Sequence, residues 1–378
     1  MSMPFVGARL REARRFRQLS ITQLGEKLGV SKQMVSKYEK GMAQPSAEVY
    51  QKIVAELNFP LGFFQEEDKF SFSDNGTFYR SRLSSTQSEK KPSELLKKYL
   101  GVIANYFEEY VDFPKLEDAS FSEDPILAAS ELRKLWGLGT KPISNIMALM
   151  EEKGFLIGSI NSHSEKVDAF GSYSSVNGND YYCVLIDQDN NSFFRQQFSL
   201  AHEIAHWVLH SKSIDPQELG TEEYRQMEKE ANLFASNFLL PAEEFVDDIK
   251  ENVEDLEAYV ALKNKWHVSG ASMIYRAKSL DLLDSEQYLR IQKKMSYRGW
   301  RRAEPFDEIA KVSRPVAMKQ AYELLVDAKI INPQTFRKEL QLKYGVVLPT
   351  DVLAELLNVP ISELQLQSNI VQIKSKFG

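Results

Sequence analysis

The chain is predicted to be mainly α-helical with one small antiparallel β-sheet, an α+β fold with an all-α head in front and a helical region behind. Three observations predict this. Apolar residues recur at three- and four-residue spacing along most of the 378 residues. Between about residues 155 and 187 the period drops to two. Basic charge is concentrated at the start: residues 1–40 carry nine Lys/Arg against three Asp/Glu, whereas residues 243–257 carry eight Asp/Glu and one Lys. The length calls for more than one domain. The expected boundaries are a helix-turn-helix head over 1–64, a linker over 65–93, a central domain over 94–285 and a C-terminal helical region over 286–378.

Composition excludes several classes. A hydrophobic content of 43% is enough to build a sizeable core, so the chain is not a disordered one. The single cysteine, Cys183, forbids an intramolecular disulfide and rules out cysteine-based zinc patterns. No run approaches 18 apolar residues, so no membrane span is expected. No apolar stretch follows the first charges, so a secretory leader is not expected and the cytoplasm is the default compartment. The net charge of −6 conceals the basic head, which points to nucleic-acid contact confined to the N-terminus.

The head reads as a set of short helices. Gly7–Leu19 has Leu10, Ala13 and Phe16 turned inward and Arg9, Arg11, Arg14, Arg15 and Arg17 mostly outward. Thr22 is placed to cap Gln23–Leu28. Gly29 makes the turn, Ser31 caps Lys32–Lys40, Gly41 ends it, and Ser46–Leu57 closes the core. Two helices joined by a tight glycine turn form a helix-turn-helix, whose second helix enters the major groove of DNA. Lys32, Gln33, Ser36 and Lys37 would then face the groove, the Gln33 amide suiting adenine and the two lysines guanine or phosphate. Met34, Val35 and Tyr38 form the core side. The alternative is a helical protein-interaction module with a solvated basic face.

Residues 65–93 are rich in Ser, Asp and Lys and read as a linker or a short extended crossover. Helical periodicity returns over 94–112, 126–136 and 142–153, the last with Pro142 in its first turn. FLIGSI (155–160), VDAFGSY (167–173) and YYCVLID (181–187) look like three antiparallel strands. An edge strand beside the next helix could hold a peptide by strand addition.

That helix, RQQFSLAHEIAHWVLH (195–210), contains HExxH. On a helix His202 and His206 lie on one face and can bind one Zn2+ from the same side. Glu203 can take a proton from a metal-bound water, the general-base role of zinc hydrolases. Ser199 is a possible N-cap. His210 continues the histidine row at the same spacing and is placed to orient or pack. Arg195, His163, Tyr173 and His210 are candidate oxyanion donors. A second helix, Glu222–Leu240, should supply a third ligand. Glu228 shares its face with the small residues Ala231, Asn232 and Ala235, which favours it; Glu230 is the alternative. Asn232 is placed to hydrogen-bond a ligand histidine.

Two resemblances follow from these motifs. QLGEKLGVSKQMVSKYEKGMAQPS resembles the Cro/repressor-type (XRE) helix-turn-helix family in its turn Gly29, the cap Ser31 and the YEKG ending. HExxH followed by E-x-x-A-N-x-F-A-x-x-x-L-x-P (Glu228–Pro241), together with RQQFSLAHE, PISNIMALMEEKGF (142–155) and VDAF (167–170), resembles the ImmA/IrrE family of zinc metallo-endopeptidases. The likeness spans about residues 5–310, and the order of the two parts is similar to that of the family's members fused to a helix-turn-helix. It implies a gluzincin-like site with His202, His206 and Glu228 as Zn2+ ligands and Glu203 as catalytic base. It also implies a DNA operator and a cleaved protein partner such as a repressor or antitoxin. Operator binding as a homodimer is the usual arrangement. The alternative is a regulator or antitoxin whose zinc domain senses or binds a partner without turnover.

The acidic run 243–257 reads as an exposed helical face, and 266–283 as a packing helix of the central domain despite a helix-turn-helix look. Residues 319–342 and 349–364 form a small helical tail whose role the sequence leaves open.

Overall fold

The computed structural model describes residues 4–74, 78–79, 87–160, 169–187, 192–211 and 219–365. His163 and the start of the VDAF segment lie outside the described residues. The described part divides into two compact units. One holds the residues up to Arg14, Ser20–Lys69 and those from Met318 onward; the other holds Arg15–Leu19 and Phe70–Ala317.

The first unit begins with α1 (Gly7–Phe16), α2 (Ile21–Leu28), α3 (Lys32–Glu39) and α4 (Ala47–Leu57), followed by a 3-10 turn at Leu61–Phe64. Each of α2, α3 and α4 is capped by a serine: Ser20, Ser31 and Ser46 accept from the backbone amides of Gln23, Met34 and Val49. Ser20 and Gln23 form a capping box, so α2 starts two residues earlier than a Thr22 cap requires. Gly29, at φ 71°, makes the left-handed turn between α2 and α3. Leu10, Leu24, Val35, Ile53 and Leu57 form the centre of its core.

The arginines of α1 are not all on the surface. Arg14 is buried and donates to Glu39 at 2.5 and 3.2 Å, and Arg9 is buried and reaches Asp68 at 2.5 Å and the Glu66 carbonyl at 3.1 Å. Helical spacing alone suggested a solvated basic face; each guanidinium instead meets an acidic group distant in sequence, which makes its burial tolerable.

The second unit contains β1 (Phe72–Asp74), β2 (Phe78–Tyr79), α5 (Gln87–Phe107), α6 (Pro125–Leu135), α7 (Ile146–Glu152), β3 (Leu156–Ile160), β4 (Ala169–Val176), β5 (Asn179–Asp187), α8 (Phe193–Leu209) and α9 (Thr221–Leu239). It continues with α10 (Ala242–Ile249), α11 (Leu256–Trp266), α12 (Gly270–Ser279) and α13 (Ser285–Tyr297). The sheet order is β1-β4-β5-β3, and β2 also pairs with β4. β4 and β5 form an antiparallel hairpin, but β3 runs parallel to β5, so the sheet is mixed rather than wholly antiparallel. Strand patterning reports which face is apolar and carries no information on pairing direction. The segment read as linker supplies β1 and β2, both antiparallel to β4.

Side chains alternate across this sheet. Ala169, Tyr182, Val184 and Ile186 join the core on the α8 side, while Ser172, on the opposite face, meets α5 through Lys97. α8 and α9 approach closely through Ala201, Ala205, Ala231 and Ala235, all fully buried. Trp136, Phe155, Trp207 and Phe238 close the end of the helix pair, the two indole rings stacking at 6.2 Å.

Two helix starts differ from expectation. α7 begins at Ile146 under an Asn145 cap, leaving Pro142 outside it. α8 begins at Phe193, capped by Ser192, so Ser199 is a buried mid-helix residue and Glu203 lies well past the first turn. α12 buries Met273, Ile274 and Ala277 and packs on α9 as a core helix. The Glu304 carboxylate accepts from the first amides of α12, Gly270 and Ala271, at 2.7 and 3.0 Å.

The C-terminal helices are α14 (Ala317–Asp327), α15 (Phe336–Tyr344), α16 (Thr350–Leu357) and α17 (Ile361–Leu364). From Met318 onward they group with the head. Gln341 donates to Glu66 at 2.8 Å, and the Lys69 amide donates to the Tyr344 carbonyl at 2.9 Å.

Removing the carboxylate from the buried Arg14–Glu39 pair takes the countercharge at 2.5 Å from a buried guanidinium. Glu39→Ala is therefore expected to cost about 3 kcal/mol, read as an earlier urea midpoint for the transition that reports on the first unit.

Candidate metal centre

α8 carries the histidines because Phe194, Phe198, Ala201, Ile204 and Ala205 bury its core-facing side. That fixes its rotation. His202 and His206 are fully buried, and Glu203 is 1% exposed. The Nε2 atoms of His202 and His206 lie 3.0 Å apart. From α9 the Glu228 carboxylate closes the triangle, 3.4 Å from His202 Nε2 and 3.6 Å from His206 Nε2. Among the described residues this is the one cluster of three or more such groups able to hold a metal ion.

The triangle has the dimensions of a zinc site. Metal–ligand bonds of ~2.0–2.1 Å in a tetrahedron place neighbouring ligand atoms about 3.3–3.4 Å apart. One Glu228 oxygen, Oε1, is buried and makes no hydrogen bond among the described residues, nor does His202 Nδ1. A buried carboxylate oxygen beside two imidazole nitrogens is what a cation would satisfy. The donor set therefore fits the ion.

Behind the triangle runs a second line of contacts. His206 Nδ1 is 3.0 Å from His210 Nδ1, and His210 Nε2 is 3.3 Å from Glu230 Oε2. Glu230 also accepts from Gln226 at 2.9 Å. The direction of these bonds follows from the acceptor-only carboxylate at the end. His210 donates its Nε2 proton to Glu230, leaving Nδ1 to accept from His206 Nδ1–H. That tautomer directs the His206 Nε2 lone pair toward Glu228 and His202. Burial lowers the His210 pKa against the opposing pull of Glu230, favouring the neutral ring this chain requires. Glu230 thus orients, and Glu228 faces the histidines.

Glu203 faces β4. A Cβ at Gly171 would lie 2.9 Å from the Tyr182 ring, 3.2 Å from Val184 and 3.3 Å from Glu203 Oε2. A glycine is required there so that strand and carboxylate can approach. Tyr182 is fully buried, and its pKa is pushed well above the ordinary phenol value by burial and by the nearby negative charge of Glu203. Sequence reasoning passed over both residues. A glycine inside a strand pattern was the available signal for Gly171; nothing distinguished Tyr182 from an ordinary core tyrosine.

Other expected site residues fall elsewhere. Asn232 donates to the Glu228 carbonyl at 2.8 Å, within its own helix, rather than to a ligand imidazole. Its short amide reaches back one turn more easily than across to α8. Arg195 holds the carbonyls of Trp300 and Arg301 at 3.3 and 2.8 Å and lines a cleft of about 470 Å³ with Ser199, Asn232, Ser272 and Arg301. It ties a loop to the start of α8. The Tyr173 hydroxyl accepts from the Trp207 indole at 3.0 Å. On α3, Lys32, Gln33 and Lys37 are exposed and Ser36 is half-buried, while Val35, Tyr38 and Glu39 are buried.

Comparison with known proteins agrees with this division. Residues 10–64 match the helix-turn-helix family, and residues 150–278 match the IrrE N-terminal-like domain, a peptidase family. The chain thus carries a repressor-type helix-turn-helix in front of an IrrE-like peptidase domain. Among curated proteins it is similar to an uncharacterized HTH-type transcriptional regulator of Sinorhizobium medicae (strain WSM419), 42% identical over 62 residues, 16% of this chain and 45% of the relative. It is equally similar to one of Rhizobium meliloti (strain 1021), with the same identity and coverage. A third, y4wC of Sinorhizobium fredii (strain NBRC 101917 / NGR234), is 40% identical over 62 residues, 16% of this chain and 43% of its own length. The chain spans less than half the length of these relatives. No described helix is long and apolar enough to cross a membrane.

The His210–Glu230 chain has a measurable consequence. His210→Ala is expected to weaken Zn2+ binding by about 10- to 100-fold, read by competition with a chromophoric chelator, with helix content by circular dichroism unchanged.

Proposed function

We propose that the second unit is a zinc-dependent endopeptidase acting on a partner protein, such as a repressor or antitoxin, and that the first unit binds a DNA operator. The observation carrying the enzymatic half is the meeting of His202, His206 and Glu228, with the buried Glu203 next to His202 on α8. Holding a metal with these three ligands needs no second acidic group, so the buried Glu203 favours hydrolysis over a purely sensory domain.

His202, His206 and Glu228 would hold the ion. Zn2+ bound there supplies a Lewis acid for the scissile carbonyl and a water whose pKa falls toward ~7. Glu203 takes the proton as the nucleophile attacks and returns it to the leaving amine. Burial of Glu203 excludes competing water and strengthens its pull on that proton. His206 is kept in register by His210, which Glu230 orients and burial keeps neutral.

The head follows the same logic from charge and exposure. α3 presents Lys32, Gln33 and Lys37 to solvent, with Ser36 at the margin. We assign this face to the major groove, with Gln33 reading a base edge and the lysines meeting guanine or phosphate. Two copies bound to paired half-sites would give a dimeric complex, which operators of this kind favour.

Three experiments test these assignments. His202→Ala and His206→Ala should each lose the single Zn2+ per chain by metal analysis. Glu203→Gln should keep the ion and the fold but leave intact every cellular protein that the unaltered chain cuts; continued cutting overturns the assigned base. For the head, Gln33→Ala combined with Lys37→Ala should weaken operator binding at least tenfold in gel shifts at fixed salt, since one bidentate base contact is worth about 1–3 kcal/mol, with metal content unchanged. Undiminished affinity would favour a protein-interaction role for the same face.

A further inference from the structure

The side of β4 nearest the candidate base is already paired within the chain. β5 takes one edge of β4 over its whole length. The other edge is taken by β1 and β2, with Phe72 opposite Val176, Ser73 opposite Ser175, Asp74 opposite Ser174, Phe78 opposite Gly171 and Tyr79 opposite Phe170. Gly171 is the residue whose missing Cβ admits Glu203. β2 therefore pairs with backbone at the point where β4 meets the candidate base. The far edge of the sheet belongs to β3, separated from β4 by β5. An extended peptide added beside Glu203 would need the same amides and carbonyls that β1 and β2 use.

β1 is also held by charge. Lys97, fully buried on α5, contacts both Asp74 oxygens at 2.8–2.9 Å and the Ser172 hydroxyl. Ser172 in turn donates to Asp74 at 2.9 Å. Removing β1 would leave a buried ammonium without its carboxylate, which is costly unless another carboxylate replaces it.

We propose that residues 72–74 and 78–79 occupy the peptide-docking edge in cis, and that the Lys97–Ser172 pair selects the strand that replaces them. The partner peptide is extended and carries an Asp or Glu at the position opposite Ser174. Asp74 is the internal copy of that residue, and Lys97 is a specificity-determining residue that touches no reacting atom. This inference rests on the endopeptidase reading for its purpose but not for its measurement.

The test uses the full chain with Glu203→Gln, so that binding is read without turnover, and a fluorescein-labelled peptide of residues 70–80. Adding Asp74→Ala should empty the edge. The peptide is then expected to bind at least tenfold tighter than to the chain retaining Asp74, by fluorescence anisotropy. The same peptide with Asn in place of its aspartate should bind at least tenfold more weakly. Amides of residues 169–176 should exchange faster in the Asp74→Ala chain without peptide and be protected when it is added. Equal affinities, equal exchange or indifference to the Asn peptide would each overturn the proposal. Should Asp74→Ala fail to fold, Ser73→Cys with Ser175→Cys, directly opposed in register, staples the edge instead. The oxidised form should then lose peptide capture and regain it on reduction; capture unaffected by the staple overturns the proposal. Peptide binding without cleavage by the chain retaining Glu203 would count against the endopeptidase reading and leave this one standing.

Discussion

Two imidazole nitrogens held 3.0 Å apart in a dry interior are the constraint on which the second unit depends. With both lone pairs turned inward they repel, and a shared proton or a cation relieves this. The surrounding groups favour the cation. Glu228 brings a formal negative charge to the same point, and the His210–Glu230 chain spends the Nδ1 proton of His206 on the opposite side of the ring. Removing water raises the cost of any unpaired member and, equally, the attraction of the set for a doubly charged ion.

Such closeness requires helices that cannot drift. α8 is set by aromatic residues at one end and alanines at the crossing with α9. Alanines at 201, 205, 231 and 235 let the two backbones come near enough for Glu228 to reach both histidines. The loop anchored by Arg195 and the Glu304 cap on α12 support α8 and α9 from behind. The chemistry of the site therefore rests on small residues and backbone carbonyls that carry none of it.

Much of this could be read from the amino acids. HExxH at helical spacing, and a downstream helix with small residues around Glu228, contain the ligand geometry because helical periodicity is rigid. The XRE motif was legible because the turn Gly29 and the Ser31 cap are local, although Ser20 rather than Thr22 caps α2. What escaped was set by distant partners. Arg9 and Arg14 looked like a solvated face because Asp68 and Glu39 lie 59 and 25 residues away. Glu230, the alternative third ligand in the sequence, meets His210 because of the direction in which α9 turns it. The pairing direction of β3 and the strand role of residues 72–79 depend on which edges remain open, which no single segment encodes. The Ser/Asp content that marked 65–93 as linker is also what β1 uses: Asp74 is polar because it meets a buried lysine.

β4 brings these strands of argument together through its period of two. At Gly171 the strand faces α8 and makes room for Glu203; at Ser172 it faces α5 and meets Lys97 and Asp74. Chemistry and selection thus sit on opposite faces of one strand, one residue apart, and share its backbone. A peptide that takes the edge must satisfy both at once: its backbone replaces β1 and β2, and its carboxylate replaces Asp74. The segment it displaces begins at Phe72, within the same unit as β4.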